Sequence, residues 1–388
     1  MRKLWVLGIA CALWLVSLRG DGARAQTLVD QTLFLTFIPN VQFAPFYVAL
    51  EQGYFAQQGL DITIQHGDEP VGVDLVAANQ LQFAIVGGEQ VIAARANGRP
   101  VVFVYEWWQN YPVGVVAPVE SGITIPQDLA GRRVGLPGFF GANYTGIQAI
   151  LASVDLTERD LQLEPIGFNA PEVICVGGVE AAVVYINNEP LQIRQRALAG
   201  DCGDVSDVVV LPVSNYADLV SNGLITNEAT IAENPDLVRA MVTAVDAGLH
   251  DAVNNPAQAY LDSAVYVEGL LTDEQRPVFE ALAAEQAAWL AENPAPPSDD
   301  PAAVREHRLE INTRRIAQML NLYETFDPAT LLQYAVLNET ISFWDADRLG
   351  VTDPVSWAVT QDTLISMGLL SAPLDDLDAA YTNAFLPE

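Results

Sequence analysis

Two successive series of short apolar, β-branched runs, each alternating with helix-period segments, constrain this chain more than any other feature of its sequence. In the first series the pattern predicts strands at Leu33–Ile38, Leu60–Ile64, Phe83–Val86 and Val101–Val104. Helices are expected between them at Ala44–Gln57, stopped by Gly59, at Val73–Asn79, and at Glu89–Ala96 after the Gly87-Gly88 pair. The second series predicts strands at Val113–Ala117, Arg133–Gly135, Leu161–Glu164, Ala181–Ile186 and Val208–Leu211, with helices at Ile147–Ser153 and Leu191–Ala199. This is the βαβ alternation of a parallel sheet covered on both faces, so each series predicts one α/β lobe.

The rest of the chain reads as mainly helical. Asn234-Pro235-Asp236 is a helix start with Pro in the first turn, and Leu237, Met241, Val245, Leu249 and Val253 then form an apolar stripe of period four. Ala295-Pro296-Pro297-Ser298-Asp299-Asp300-Pro301 forms a linker between two further helices. The expected organisation is a leader over 1–25, a first lobe from 26–109 and 220–388 with the C-terminal helices, and a second lobe from 110–219. Glu106–Pro112 and Val213–Gly223 would be the two crossings between lobes. Ligands of such folds lie between the lobes, where parallel strands end in loops and helix N-termini carry unpaired N–H groups. Asn187, Asn188 and Glu189 follow a buried strand abruptly and fall at that place.

Arg2 and Lys3 precede an apolar run from Leu4 to Leu18, and Ala23-Arg24-Ala25 is a small-x-small cleavage pattern, which together predict export. The apolar run is shorter than the roughly 20 residues that a bilayer span needs. Cys11 lacks the preceding Leu of a usual lipoprotein signal and would cut the apolar run, which argues against lipid attachment. The mature chain would hold 14 basic and 48 acidic residues, a net charge of −34, and such a field repels nucleic acid and anionic lipid. Lys3 is the one lysine of the sequence, so chemistry through a lysine Schiff base or a P-loop lysine is excluded from the mature protein. Cys175 and Cys202 are candidates for a disulfide in an oxidising compartment, with two unpaired thiols as the alternative. His66, His250 and His307 are too scattered for a structural zinc site.

Four stretches carry a family resemblance: residues 37–64 (FIPNVQFAPFYVALEQGYFAQQGLDITI), 129–141 (LAGRRVGLPGFFG), 180–192 (EAAVVYINNEPLQ) and 225–244 (ITNEATIAENPDLVRAMVTA). They resemble the ThiY-type substrate-binding proteins of ABC importers, relatives of the thiamine-pyrimidine synthases, over roughly residues 32–255. The resemblance implies a two-lobe periplasmic-binding-protein fold (type II) and a small heterocyclic vitamin ligand. It also implies delivery to an ABC permease and ATPase pair at the outer face of the cell membrane, with no cofactor, no metal and no catalysis. In the synthase relatives the glycine loop holds a cofactor phosphate, but those enzymes resemble users of pyridoxal phosphate attached through lysine, a link this mature chain lacks.

Candidate ligand contacts follow from the chemistry of each segment. Asn40 and Gln42, between the first strand and its helix, offer amide donors and acceptors, with helix capping as the other role of Asn40. Gly138, Phe139, Phe140, Gly141 and Asn143 form a strand-to-helix loop whose backbone amides suit a phosphate or a polar ring edge. Trp107, Trp108 and Tyr111 crowd the first crossing, where they either stack on a flat ring or pack between the lobes. Tyr185, Asn188 and Glu189 match the family's strand-end motif, Glu189 alternatively serving the dipole of the next helix. Glu89 opens the helix after Gly87-Gly88 and is a further polar candidate, although Glu89, Glu106 and Glu189 lack the motif partners of an acid–base pair. The aromatic crossing, Phe139-Phe140 and the uncharged amides favour riboflavin, as in RibY-type relatives; a thiamine pyrimidine precursor is the second reading and a secreted heterocycle-processing enzyme the third.

Overall fold

The computed structural model describes residues 28–297 and 300–387, so the expected leader and Cys11 lie outside the described residues. Ten strands form two sheets: β1 (Val29–Thr36), β2 (Leu60–Gly67), β3 (Phe83–Gly87), β4 (Val101–Glu106), β5 (Val113–Pro118), β6 (Arg133–Leu136), β7 (Gln162–Pro165), β8 (Ala181–Tyr185), β9 (Val208–Pro212) and β10 (Asn222–Asn227). Their orders are β2-β1-β3-β10-β4 and β7-β6-β8-β5-β9. The chain leaves the first sheet after β4, builds the second, and returns to insert β10 between β3 and β4. This is the two-lobe, twice-crossed architecture that the alternation predicted.

Both sheets are mixed where the alternation predicted parallel ones. β10 is antiparallel to β3 and β4, and β5 is antiparallel to β8 and β9. The expected second crossing, Val213–Gly223, therefore ends in a strand. Every residue of β10 is buried, and a Cβ added at Gly223 would strike the Phe103 ring and the Tyr105 carbonyl, so only glycine lets the backbones approach there. The expected helix Ala44–Gln57 is also two pieces, Ala44–Glu51 and Tyr54–Gln57, broken where Gly53 adopts φ +72°. Glu189 is the first residue of the helix Glu189–Ala199, which begins two residues before the expected start.

The helix Pro235–Asn254 lays Met241, Val245 and Leu249 against the first lobe's core, each side chain adding about 1.5–3 kcal/mol by burial. The helix Leu332–Trp344 contributes Tyr334, Leu337, Ile341 and Trp344 to that same core. It also reaches the crossing: Phe343 O accepts from Gln109 N at 2.9 Å and Asn110 N at 3.1 Å. Gly350 O accepts from Glu106 N at 2.9 Å. The C-terminal section thus buttresses the first crossing from outside. In the second lobe Cys175 and Cys202 are joined by a disulfide across a sequence separation of 27.

Candidate functional site

A cleft between the lobes encloses about 860 Å³ of space that no protein atom fills, its open mouth included. The end of β1 supplies Thr36 and Phe37, the turn Val41–Phe43 supplies Gln42 and Phe43, and the first crossing supplies Trp107 and Trp108. From the second lobe come Pro137 and Phe140–Asn143 after β6, Phe168 after β7, Tyr185 at the end of β8 and Glu189 just beyond it. Phe37 has φ +73°, an uncommon conformation for a residue with a Cβ, and it is held by a bridge to Gly67. Seven aromatic side chains (Phe37, Phe43, Trp107, Trp108, Phe140, Phe168 and Tyr185) line the space. Phe43 stacks on Trp107 with centroids 5.4 Å apart, while Phe37 meets Phe168 edge-on across the lobes at 4.5 Å.

Eight of the sequence candidates line this cleft: Gln42, Trp107, Trp108, Phe140, Gly141, Asn143, Tyr185 and Glu189. The structure does not bring the other six to its wall. Asn40 caps the Val41–Phe43 turn, its side-chain oxygen accepting from Gln42 N at 3.0 Å. Tyr111 donates to Ala142 O at 3.0 Å and is buried between the crossing and the second lobe. Gly138 is covered by the Phe140 ring, and Phe139 turns outward, 53% exposed, against Tyr144. Asn188 is buried and bonded to Glu189 and Gln192. Glu89 is buried beside the cleft rather than on it, neither carboxyl oxygen having a partner among the described residues.

The strand-end sequence divides its labour. Asn187 donates to Thr340 Oγ1 at 2.7 Å, tying the β8 turn to the C-terminal helix. Glu189 accepts from Tyr185 N and Asn188 Nδ2, each at 3.1 Å, and burial pushes its carboxyl up to about 7. Tyr185 donates across the lobes to Asn222 Oδ1 at 3.0 Å. Asn143 Nδ2 donates to Val183 O at 3.1 Å. Gln42 Nε2, Trp107 Nε1 and Trp108 Nε1, on residues that line the cleft, are buried donors without an acceptor among the described residues, as is Trp344 Nε1 in the core behind them.

The sequence reading missed Phe37, Phe43, Phe168 and above all Glu69. Glu69 opens the helix Glu69–Ala77 and is buried, its carboxylate accepting from Gly87 N in its own lobe and from Ala142 N of the other, the latter at 3.3 Å. Burial raises its pKa, opposed by those two N–H donors, and raises that of Glu89 further, with Glu69 adding to the effect. A carboxylate whose two oxygens both accept from N–H groups is the better charged member of the pair, so the proton belongs on Glu89. Asp68-Glu69-Pro70 reads in sequence as an ordinary acidic helix start, which is why nothing there signalled an interlobe contact.

Two mixed α/β sheets, two crossings and a cleft at the strand ends define a periplasmic-binding-protein fold. Solved structures agree on the fold: a Bordetella bronchiseptica RB50 protein aligns with TM-score 0.60 over 92% of this chain and 95% of its own at 14% identity. The aliphatic sulphonate binding protein SsuA of Escherichia coli aligns with TM-score 0.56 over 92% and 94% at 13% identity. Residues 40–259 match the family described as NMT1/THI5 like, and the chain belongs to that family. It is 30% identical over 369 residues, 93% of this chain and 87% of the relative, to the riboflavin-binding protein RibY of Chloroflexus aurantiacus. A formylaminopyrimidine-binding protein of Halalkalibacterium halodurans is 29% identical over 67% of this chain and 78% of its own length. A Legionella pneumophila 4-amino-5-hydroxymethyl-2-methylpyrimidine phosphate synthase is 27% identical over 59% and 71%.

Proposed function

We propose that the protein is the extracytoplasmic substrate-binding component of an ABC importer and that it captures riboflavin for a membrane permease and ATPase pair. The observation that carries this reading is the coincidence of seven cleft-lining rings with buried, acceptor-free donors on Gln42, Trp107 and Trp108. A flavin ring offers a broad flat face and a row of carbonyl and imine acceptors, the complement of such a wall. Gln42, Trp107, Trp108, Phe140, Asn143, Tyr185 and Glu189 are the proposed contacts, together with Phe37, Phe43 and Phe168. We take 26–109 with 220–388 as one lobe and 110–219 as the other, closing on the ligand about the two crossings.

The RibY relative covers most of both chains and favours riboflavin, whereas the formylaminopyrimidine-binding relative supports a thiamine pyrimidine as the second reading. The synthase-named relatives raise an enzyme reading, which the lack of any lysine after Lys3 opposes. No helix among the described residues is long and apolar enough to cross a membrane. Mass spectrometry of small molecules released on denaturing the purified protein tests the proposal. A flavin released unchanged is the expected result; a thiamine pyrimidine would transfer the assignment to the second reading, and conversion of added ligand would defeat both.

A further inference from the structure

We propose that Glu69 makes the cleft select against phosphorylated ligands, because its carboxylate already fills the helix start where a phosphoryl group would bind. This rests on the reading of the cleft as a heterocycle site and deepens it by naming the ligand class: the uncharged, dephosphorylated form.

The helix Gly141–Ala152 begins at the cleft, and its first-turn amides and dipole form the natural receptor for an anion after a glycine loop. The chain itself provides that anion. Glu69 Oε2 accepts from Ala142 N at 3.3 Å, while Oε1 accepts from Gly87 N at the start of the helix Gly88–Ala96. Gly141 has φ +67°, and a Cβ added there would strike Glu69 Oε2, so the glycine admits an internal carboxylate to the helix start. Glu69 is only 7% exposed, so its carboxylate is packed into the helix start rather than displayed to solvent.

The rest of the wall points the same way. Its titratable acids are Asp68, Glu69 and Glu189, and among the described residues no Arg, Lys or His lines the cleft. A phosphoryl group entering there would meet the Glu69 carboxylate, held by its two N–H donors, with no cationic side chain on the described lining to offset it, a penalty of roughly 100-fold or more in affinity. An uncharged ring with a hydroxylated tail meets no such opposition.

The test titrates riboflavin and its 5′-phosphate against the wild type, Glu69→Gln and Glu69→Ala by quenching of flavin fluorescence, with circular dichroism confirming that each variant is folded. The wild type should prefer riboflavin by roughly 100-fold or more, and both variants should narrow that preference at least about tenfold. Equal binding of the two flavins by the wild type, or an unchanged preference in both folded variants, overturns the inference while leaving the riboflavin reading intact. If the wild type binds neither flavin, the riboflavin reading fails and Glu69 is judged by thermal shift in millimolar inorganic phosphate at matched ionic strength. Stabilisation of Glu69→Ala but not of the wild type then supports the role of Glu69, and equal responses overturn it.

Discussion

The two walls of the cleft are built differently. On the side of the first lobe, Phe43, Trp107 and Trp108 are rings embedded in a core that Trp344 and the C-terminal helices complete. On the side of the second lobe, Tyr185, Glu189, Asn143 and Phe140 stand at strand ends and on a glycine loop, and Phe168 is 39% exposed. The first wall is preorganised, so it supplies contact area without the entropy cost of ordering side chains on binding. The second wall supplies directional groups and two hydrogen bonds that bridge the lobes, Tyr185 to Asn222 and Ala142 to Glu69. On the reading proposed above, affinity rests on the first wall, and orientation with closure on the second.

Truncating the first wall should therefore cost both folding and binding. Trp108→Ala is expected to lower the unfolding free energy by about 3–5 kcal/mol in urea titration and to abolish ligand binding. Phe168→Ala, on the second wall, should weaken binding while shifting stability by less than about 1 kcal/mol. Comparable stability losses in the two variants would erase the distinction between walls.

Reducing the Cys175–Cys202 disulfide sharpens it from the other side. A closed loop of this length is worth about 3–4 kcal/mol, all of it in the second lobe, so reduction should lower the melting temperature and expose that lobe to proteolysis first. Neither cysteine lines the cleft, and affinity below the melting temperature should stay within about twofold.

The pH dependence divides along the same line. Burial raises Glu106, at the end of β4, to about 8 and Glu189 to about 7, against the ordinary 4.5. A carboxyl raised on folding binds its proton more tightly in the native state, so its contribution is complete below pH 4.5 and disappears as pH rises through the raised value. Stability of the ligand-free protein should accordingly fall between pH 5 and pH 8, by up to about 1.4 kcal/mol per pH unit for each group. Glu106→Gln should flatten the profile up to about pH 8, and Glu189→Gln only up to about pH 7. Calorimetry across this range checks the sign; a stability that rises with pH there would contradict it.

The smallest expected effect is that of Tyr185→Phe, which removes the bond to Asn222 and keeps the ring. Its loss should weaken binding by about 0.5–1.5 kcal/mol, read by titration, with no change in the fold. An unaltered affinity would mean that this interlobe bond is not part of closure.

The fold was legible where a signal repeats: buried β-branched runs followed by helix-period segments recur often enough to separate two lobes. β10 was not, because Gly223-Leu224-Ile225-Thr226 holds only two large apolar residues between Asn222 and Asn227 and its antiparallel place between β3 and β4 is fixed by partners far away in sequence. The strand-end residues were legible because polar side chains interrupt an apolar strand abruptly. Their separate tasks were not, since Asn187 bonds to Thr340, which lies 153 residues later. Glu69 was hidden for the opposite reason: an acid at a helix start looks locally satisfied, and its partner Ala142 lies 73 residues later in the other lobe.

The central claim is that a flat, uncharged heterocycle is held between a preformed aromatic wall and a polar closing wall. Stepwise addition of the purified mature protein, stripped of bound ligand, to riboflavin with flavin emission recorded tests it most directly. The account predicts that emission is quenched to a sharp end point at one flavin per chain and that Trp108→Ala loses the effect. Undiminished emission with excess folded protein would contradict it.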